Sequence, residues 1–286
     1  MISDVKNKNL LISFGDKISV GEYIIHSRFK NSVNFYSEEK LLTLGNRYIG
    51  SGPSNIIFEN KNFENINRII VYENSFYLDK EKFEIENEKI YSSKLEISYF
   101  DIQKFYKNLK LFEKSLKIFS NNKGLLPLID ENLKNNENFN NNFLKRIYMG
   151  MNTLFNLDLI EGLKLIKGVG IGLTPSGDDF ITGILTGLKV IEIITNENNF
   201  YLRKMIYENA KGENLISNNF LYYAYEGLFF ERTKKLILSL FYGNESEIVN
   251  STLSMLQIGE SSGVDFSTGF LIVIKKGGLN GSKRFN

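Results

Sequence analysis

The chain of 286 residues has no cysteine, no tryptophan, one histidine and three prolines. The missing cysteines exclude disulfide frameworks, thiolate nucleophiles and cysteine-ligated zinc in one step. They agree with a reducing cytoplasm, the expected location. With His26 the sole imidazole, a Ser-His-Asp relay or a multi-histidine metal centre has no material within one chain. Chemistry falls to carboxylates, hydroxyls, Lys and Arg, Tyr and backbone N–H groups. A long apolar run is also missing: nothing reaches the ~18 consecutive apolar residues of a membrane span. The opening stretch MISDVKNKNLLISFGD carries acidic residues and lacks the apolar centre of a signal peptide. A soluble protein without a membrane partner is expected. Nor is there an excess of one charge. Thirty-five basic residues meet 33 acidic ones for a net charge of +2, with no basic stripe of the kind nucleic acid requires.

What is present suffices for a core: 42% of residues are hydrophobic, and the length suits one large domain or two ordinary ones. The first ~100 residues carry short apolar or alternating runs such as LLISF, NSVNFYS, LLTLGN, NIIFEN, NRIIVYEN and KLEISYF, separated by Gly, Asn, Asp and Pro turn signals. They predict a small barrel or sandwich over 1–100. The period then changes. Ile102, Phe105, Leu109, Phe112, Leu116 and Phe119 step by three and four, which is helical. Further helices are predicted over 143–154, 157–166, 180–194, 201–210, 217–240 with a break, and 245–258. An Asn-rich patch at 132–142 reads as loop, and the tail from 277 as frayed. The expected class is α+β, with a β-rich domain at 1–100 and a mainly helical domain at 101–286.

One segment stands out. GVGIGLTPSGDD (168–179) packs four glycines and a proline before a helix. Glycine permits positive φ and close approach of backbone to ligand. Successive N–H groups at such a loop, added to the positive end of the helix, suit an anion. No Gly-Lys-Ser/Thr follows, so it is no Walker loop. Leu173 stands where the third glycine of a dinucleotide fingerprint would fall. The candidates for holding phosphate or a substrate carboxylate are Lys167, Gly168, Gly170, Gly172, Thr174, Ser176 and Gly177.

The segment has an echo. SGDDFITGIL at 176 and SGVDFSTGFL at 262 agree at seven of ten positions, 86 positions apart. Two related units, or two loops converging on one site, would explain this. Ser-x-x-Asp is also close to a capping box, with Ser176 and Ser262 as N-caps and Asp179 and Asp265 at the third helical position, each cap worth ~1 kcal/mol. Asp178 is set apart because its counterpart is Val264, so capping does not require it. Gly183 and Gly187 predict a tight helix crossing. Asp178 and Asp179 are the catalytic candidates, and Ser262 and Asp265 join the binding candidates. A carboxylate beside an anion is repulsive unless a metal or a proton intervenes. No cofactor is firmly implied, but Asp178 could hold a Mg²⁺ there.

Other features have plain structural explanations beside functional ones. YIGSGPS (48–54) reads as a hairpin connection, or as the wall of a ligand pocket. His26 reads as structural. Arg28 and Arg47 could clamp a carboxylate or phosphate. Phe220, Tyr222, Tyr223, Tyr225, Phe229 and Phe230 read as helix core or an oligomer contact. Glu260, just before the second loop, could be solvated or face the site.

GVGIGLTPSGDDFITG and IGESSGVDFSTG resemble the two signatures of the bacterial AllH-like family, and RFKNSVN (28–34) with IGSGP (49–53) resemble its N-terminal pattern. Glu260 departs from the family pattern, where histidine is frequent. The resemblance implies a subunit of oxamate carbamoyltransferase, acting in allantoin catabolism with an FdrA-like subunit and a third subunit. That enzyme turns oxalurate and phosphate into oxamate and carbamoyl phosphate. Two alternatives stay open: a non-catalytic scaffold subunit of such a complex, and an independent phosphate- or nucleotide-binding enzyme.

Overall fold

The computed structural model describes residues 10–38, 40–130 and 142–279. The expected Asn-rich loop and most of the expected frayed tail lie outside them. The chain divides into two compact units: residues up to Leu95 together with Leu228–Glu231, and Glu96–Gly227 together with the rest.

The first unit is a curled nine-stranded sheet, a half-barrel. The strands are β1 (Leu11–Gly15), β2 (Gly21–Arg28), β3 (Ser32–Ser37), β4 (Lys40–Asn46), β5 (Asn55–Phe58), β6 (Arg68–Val71), β7 (Ser75–Leu78), β8 (Glu81–Glu84) and β9 (Ile90–Tyr91), in the order β8-β7-β6-β2-β3-β4-β5-β1-β9. Short runs rich in Ile, Val, Phe and Tyr fit a pleated, half-buried surface. Their inward side chains, among them Phe14, Phe35, Ile56, Phe58, Ile69 and Phe76, form one core. Register shifts between Leu11 and Ser13 and between Ile25 and Ser27 bend the strands, as β-bulges do. Pairings are antiparallel except β4 with β5 and β1 with β9.

The Arg28 guanidinium is occupied within this unit. It donates to the carbonyls of Phe63 at 2.9 Å and Ile66 at 2.6 Å and to Asn67 Oδ1. Arg47 pairs with Glu59. The turn at 50–54 is tied down as well: Ser51 N–H donates to Glu231 at 2.8 Å, and Asn55 donates to the Gly50 carbonyl. His26 is exposed beside Ser27 and edge-on to Tyr36.

The second unit holds nine helices among the described residues: α1 (Ile102–Phe119), α2 (Asn142–Asn156), α3 (Leu159–Ile166), α4 (Ser176–Thr195), α5 (Phe200–Ala210), α6 (Leu215–Glu226), α7 (Glu231–Tyr242), α8 (Glu245–Leu256) and α9 (Ser262–Lys275). The expected break in 217–240 falls between α6 and α7. Gly227 takes the left-handed C-cap at φ 72°, where glycine carries no Cβ penalty. Helix α1 shows why the apolar spacing works: Phe105, Leu109, Phe112 and Leu116 are buried on one face, and Asp101 caps its start by accepting from Gln103 N–H.

Helices α4 and α9 form the centre. Nearly every residue from Ser176 to Leu188, and from Gly263 to Ile274, is buried. A helix covered all round needs no polar face, which is why neither shows clean amphipathic spacing. Their crossing is close and reciprocal. A Cβ on Gly183 would lie 2.0 Å from the Phe266 carbonyl oxygen, and one on Gly269 would lie 2.1 Å from that of Phe180. These positions correspond in the repeat, so the echo in the sequence is an echo in the packing.

Candidate functional site

The loop 167–175 enters α4 through a set of specific ties. Lys167 Nζ donates to the Asn209 carbonyl at 3.1 Å, near the C-terminus of α5. Gly168 N–H donates to Asp178 Oδ1 at 2.7 Å, and Gly177 N–H to the Val169 carbonyl at 2.8 Å. Asn214, which caps α6 through Ser217 N–H, also reaches the Leu173 carbonyl at 2.7 Å. Thr174 donates its hydroxyl to Asp179 at 2.9 Å. Gly168, Gly170 and Gly172 all have positive φ, of 69°, 121° and 120°. Among the described residues, the amides of Gly170 through Thr174 find no acceptor. The loop is thus held at its ends and along its carbonyls, with its middle N–H groups left over.

The capping-box expectation needs correction. The N-cap of α4 is Pro175 and that of α9 is Ser261, and neither makes a side-chain cap bond. Ser176 and Ser262 are first helical residues. The two repeats meet here instead: Ser176 lies beside Asp265 and Ser262 beside Asp179, near enough for each hydroxyl to oppose the rise in that carboxyl's pKa, and the Thr174 and Ser262 hydroxyls are 3.3 Å apart. Each serine of one repeat therefore neighbours the aspartate of the other. Asp265 accepts from Leu125 N–H at 2.7 Å and from the Ser261 hydroxyl at 3.0 Å. Capping chemistry is local, whereas this reciprocal approach depends on the helix crossing that brings the two N-termini together.

Beside these N-termini lies a cavity of about 800 Å³. Its wall includes Gly170 through Thr174, Ser176, Gly259 through Ser262, Asn122 through Gly124, Pro127, Phe143 and Leu144. All belong to the second unit. The hydroxyls of Thr174, Ser176, Ser261 and Ser262 stand on the wall, and Asp179 and Asp265 stand behind them, 9% and 0% exposed. Burial pushes the Asp265 carboxyl up to about 6, against the pull of its hydrogen-bond donors. Burial raises Asp179 well above the usual carboxylate range; the neighbouring Asp265 and Asp178 add to the rise, and the Ser262 and Thr174 hydroxyls oppose it. The repulsion between a carboxylate and an anion thus has a local remedy: a proton on the pair.

Of the residues singled out in the sequence, Gly170, Gly172, Thr174, Ser176 and Ser262 line the cavity, as does Glu260. Asp179 and Asp265 lie one layer back. Lys167, Gly168, Gly177 and Asp178 hold the loop together by the bonds above. Among the described residues, no three acidic or imidazole groups gather closely enough for a metal ion. The carboxylates here are ringed by N–H and O–H donors, so the donor set does not fit Mg²⁺, and no step is routed through one. Sequence reasoning missed Ser261, Lys123, Gly124 and Asn214. The adjacency of Ser261 to the repeat was a usable signal. Asn214 was hidden because asparagine is so abundant in this chain.

Comparison with known proteins agrees with this layout. The family model described as oxamate carbamoyltransferase subunit AllH matches residues 166–274, which include both repeats, and the AllH family N-terminal domain matches residues 2–100. No curated protein and no solved structure matches. Between them the two family models cover most of the sequence, and the chain belongs to the AllH family, that of a subunit of oxamate carbamoyltransferase.

Proposed function

We propose that this subunit holds an anionic substrate of the carbamoyl-transfer reaction in the cavity between the Gly170–Thr174 amides and the N-termini of α4 and α9. One observation carries this: five consecutive backbone N–H groups that find no acceptor among the described residues, on the wall of a cavity at which two helix N-termini converge. Preorganised donors of this kind stabilise charge without reorganising during the reaction.

In the reaction the family name suggests, a phosphate oxygen attacks the terminal ureido carbonyl of oxalurate. The C–O bond of carbamoyl phosphate forms and the C–N bond to the oxamate nitrogen breaks. The proton leaving hydrogen phosphate ends on that nitrogen, so the step balances without a further reactant. The loop amides would hold the oxalurate carboxylate or the phosphate. Lys167 and Asp178 act as positioning residues that fix the loop, and Asp179 and Asp265 set the orientation of the Thr174 and Ser261 hydroxyls. The partners on this proposal are an FdrA-like subunit and a third subunit, and the setting is allantoin catabolism in the cytoplasm. Among the described residues, no helix is long and apolar enough to cross a membrane.

The test is phosphate-dependent oxalurate cleavage by the assembled complex, with this subunit omitted or carrying Gly170→Ala. A Cβ there would meet Ser176 N at 2.7 Å at a φ of 121° and would deform the amide row. A large loss of rate with assembly intact is expected. Full activity of the variant complex would overturn the substrate-holding role. It would favour the scaffold alternative, to which Ile171 lends one observation: at 98% exposed, this apolar side chain is open to a partner surface.

A further inference from the structure

The carboxyls of Asp179 and Asp265 do not face the cavity. They face the hydroxyls that do. Thr174 donates to Asp179 at 2.9 Å and Ser261 to Asp265 at 3.0 Å; Ser262 lies beside Asp179 and Ser176 beside Asp265, with Thr174 and Ser262 themselves 3.3 Å apart. A hydroxyl has one proton to give. While a carboxylate takes it, the hydroxyl presents only lone pairs to the cavity and repels an anion. Once the carboxyl is protonated it becomes the donor, and the hydroxyl is free to turn its proton toward the ligand.

We propose that anion binding in this cavity is coupled to proton uptake by the Asp179–Asp265 pair, which switches the Thr174 and Ser261 hydroxyls from facing the carboxylates to donating toward the anion as it enters. The coupling rests on the anion-binding role proposed above. The ligand class is a small oxyanion or carboxylate that keeps its charge at neutral pH. Burial raises both carboxyls, so a proton is taken up more readily than by an ordinary aspartate, and a bound negative charge a few ångströms away raises them further.

The other ionisable groups around the pair have other places in the fold. Asp178, on α4, accepts from Gly168 N–H, and Lys167 is bonded to carbonyls near the α5 C-terminus. Lys123 and Glu260 stand on the cavity wall, on the segments before the 126–128 turn and before α9, and Lys145 is exposed on α2. The segment after the turn carries Asp130. None of these sits behind the hydroxyls. The direct bonds to those hydroxyls belong to Asp179 and Asp265.

The experiment is calorimetric titration of the full chain with oxamate and with sulfate, both fully charged from about pH 7 to about pH 9. Each titration is run in two buffers of different ionisation heat. The expected result is net proton uptake from the buffer, with affinity falling by up to about tenfold per pH unit across this range, the slope for one linked proton. Asp265→Asn, which carries a permanent proton donor at this position, should bind with a flatter pH profile, and Asp179→Asn likewise. If a variant does not fold, the proton count of the wild-type chain still decides. Binding with no buffer dependence and a flat pH profile overturns the coupling and leaves the anion site standing. Failure to bind either anion overturns the anion site and the coupling together.

Discussion

Gly183→Ala is the sharpest test of the central crossing. The added Cβ would lie 2.0 Å from the Phe266 carbonyl oxygen and 2.8 Å from Phe270 N. Both are backbone atoms of α9, so no rotamer change relieves the clash. Ordinary contact begins at 3.4 Å, so the helices must separate by more than an ångström. Two effects compete. Alanine favours the helix by about 1 kcal/mol over glycine. Overpacking in a closed core costs about 1–3 kcal/mol, and occasionally more when backbone must move. With backbone on the receiving side, the upper end applies, leaving a net loss of about 2 kcal/mol.

The separation should also pull apart the Thr174–Ser262 hydroxyl contact, which links the same two N-termini. Urea denaturation read by circular dichroism measures the first effect, and oxamate titration the second. Gly212→Ala is the control. Nothing lies within 4 Å of a Cβ there and its φ is not positive, so it should be neutral or stabilise by about 0.4–1 kcal/mol through the unfolded state. A Gly183→Ala protein as stable as wild type would refute the close crossing.

Three further outcomes follow from the same contacts. Asp178→Ala removes the acceptor of the Gly168 N–H and should speed amide exchange at Gly168, Val169 and Gly177 while leaving global stability within about 2 kcal/mol; unchanged exchange would show that the carboxylate does not hold the loop. Asn108 donates to the carbonyls of Ser239, Leu240 and Gly243 at the end of α7, so Asn108→Asp, which replaces donors by an acceptor, should cost about 2 kcal/mol or more in denaturation; an unperturbed midpoint would contradict that. For Asp265 the folded value lies above the unfolded one, so the folded state binds the proton more tightly between about pH 4 and about pH 6 and stability falls as pH rises through that window. Relative to wild type, Asp265→Asn should therefore gain about 3 kcal/mol between the two ends of the window; a constant difference across it would show that the carboxyl is not shifted.

The sequence by itself determined which elements form. Apolar spacing placed α1, and the runs of β-branched and aromatic residues placed the strands of the half-barrel. Glycine density marked 168–177 and the SGDDF and SGVDF repeat marked 176 and 262, because positive φ and helix entry are local properties that leave local residues behind. Start points were less legible: α4 begins at Ser176 rather than near 180, since its polar first turn is buried and shows no apolar spacing. Only the tertiary structure decided what the repeat is for. Whether Ser176 caps its own helix or sits beside Asp265 depends on a crossing in which Gly183 and Gly269 let two helices approach, and that contact spans dozens of residues of sequence. The same holds for Asp178, which is a loop tie because Gly168 folds back on it, and for Asn214, which became visible only where it touches Leu173.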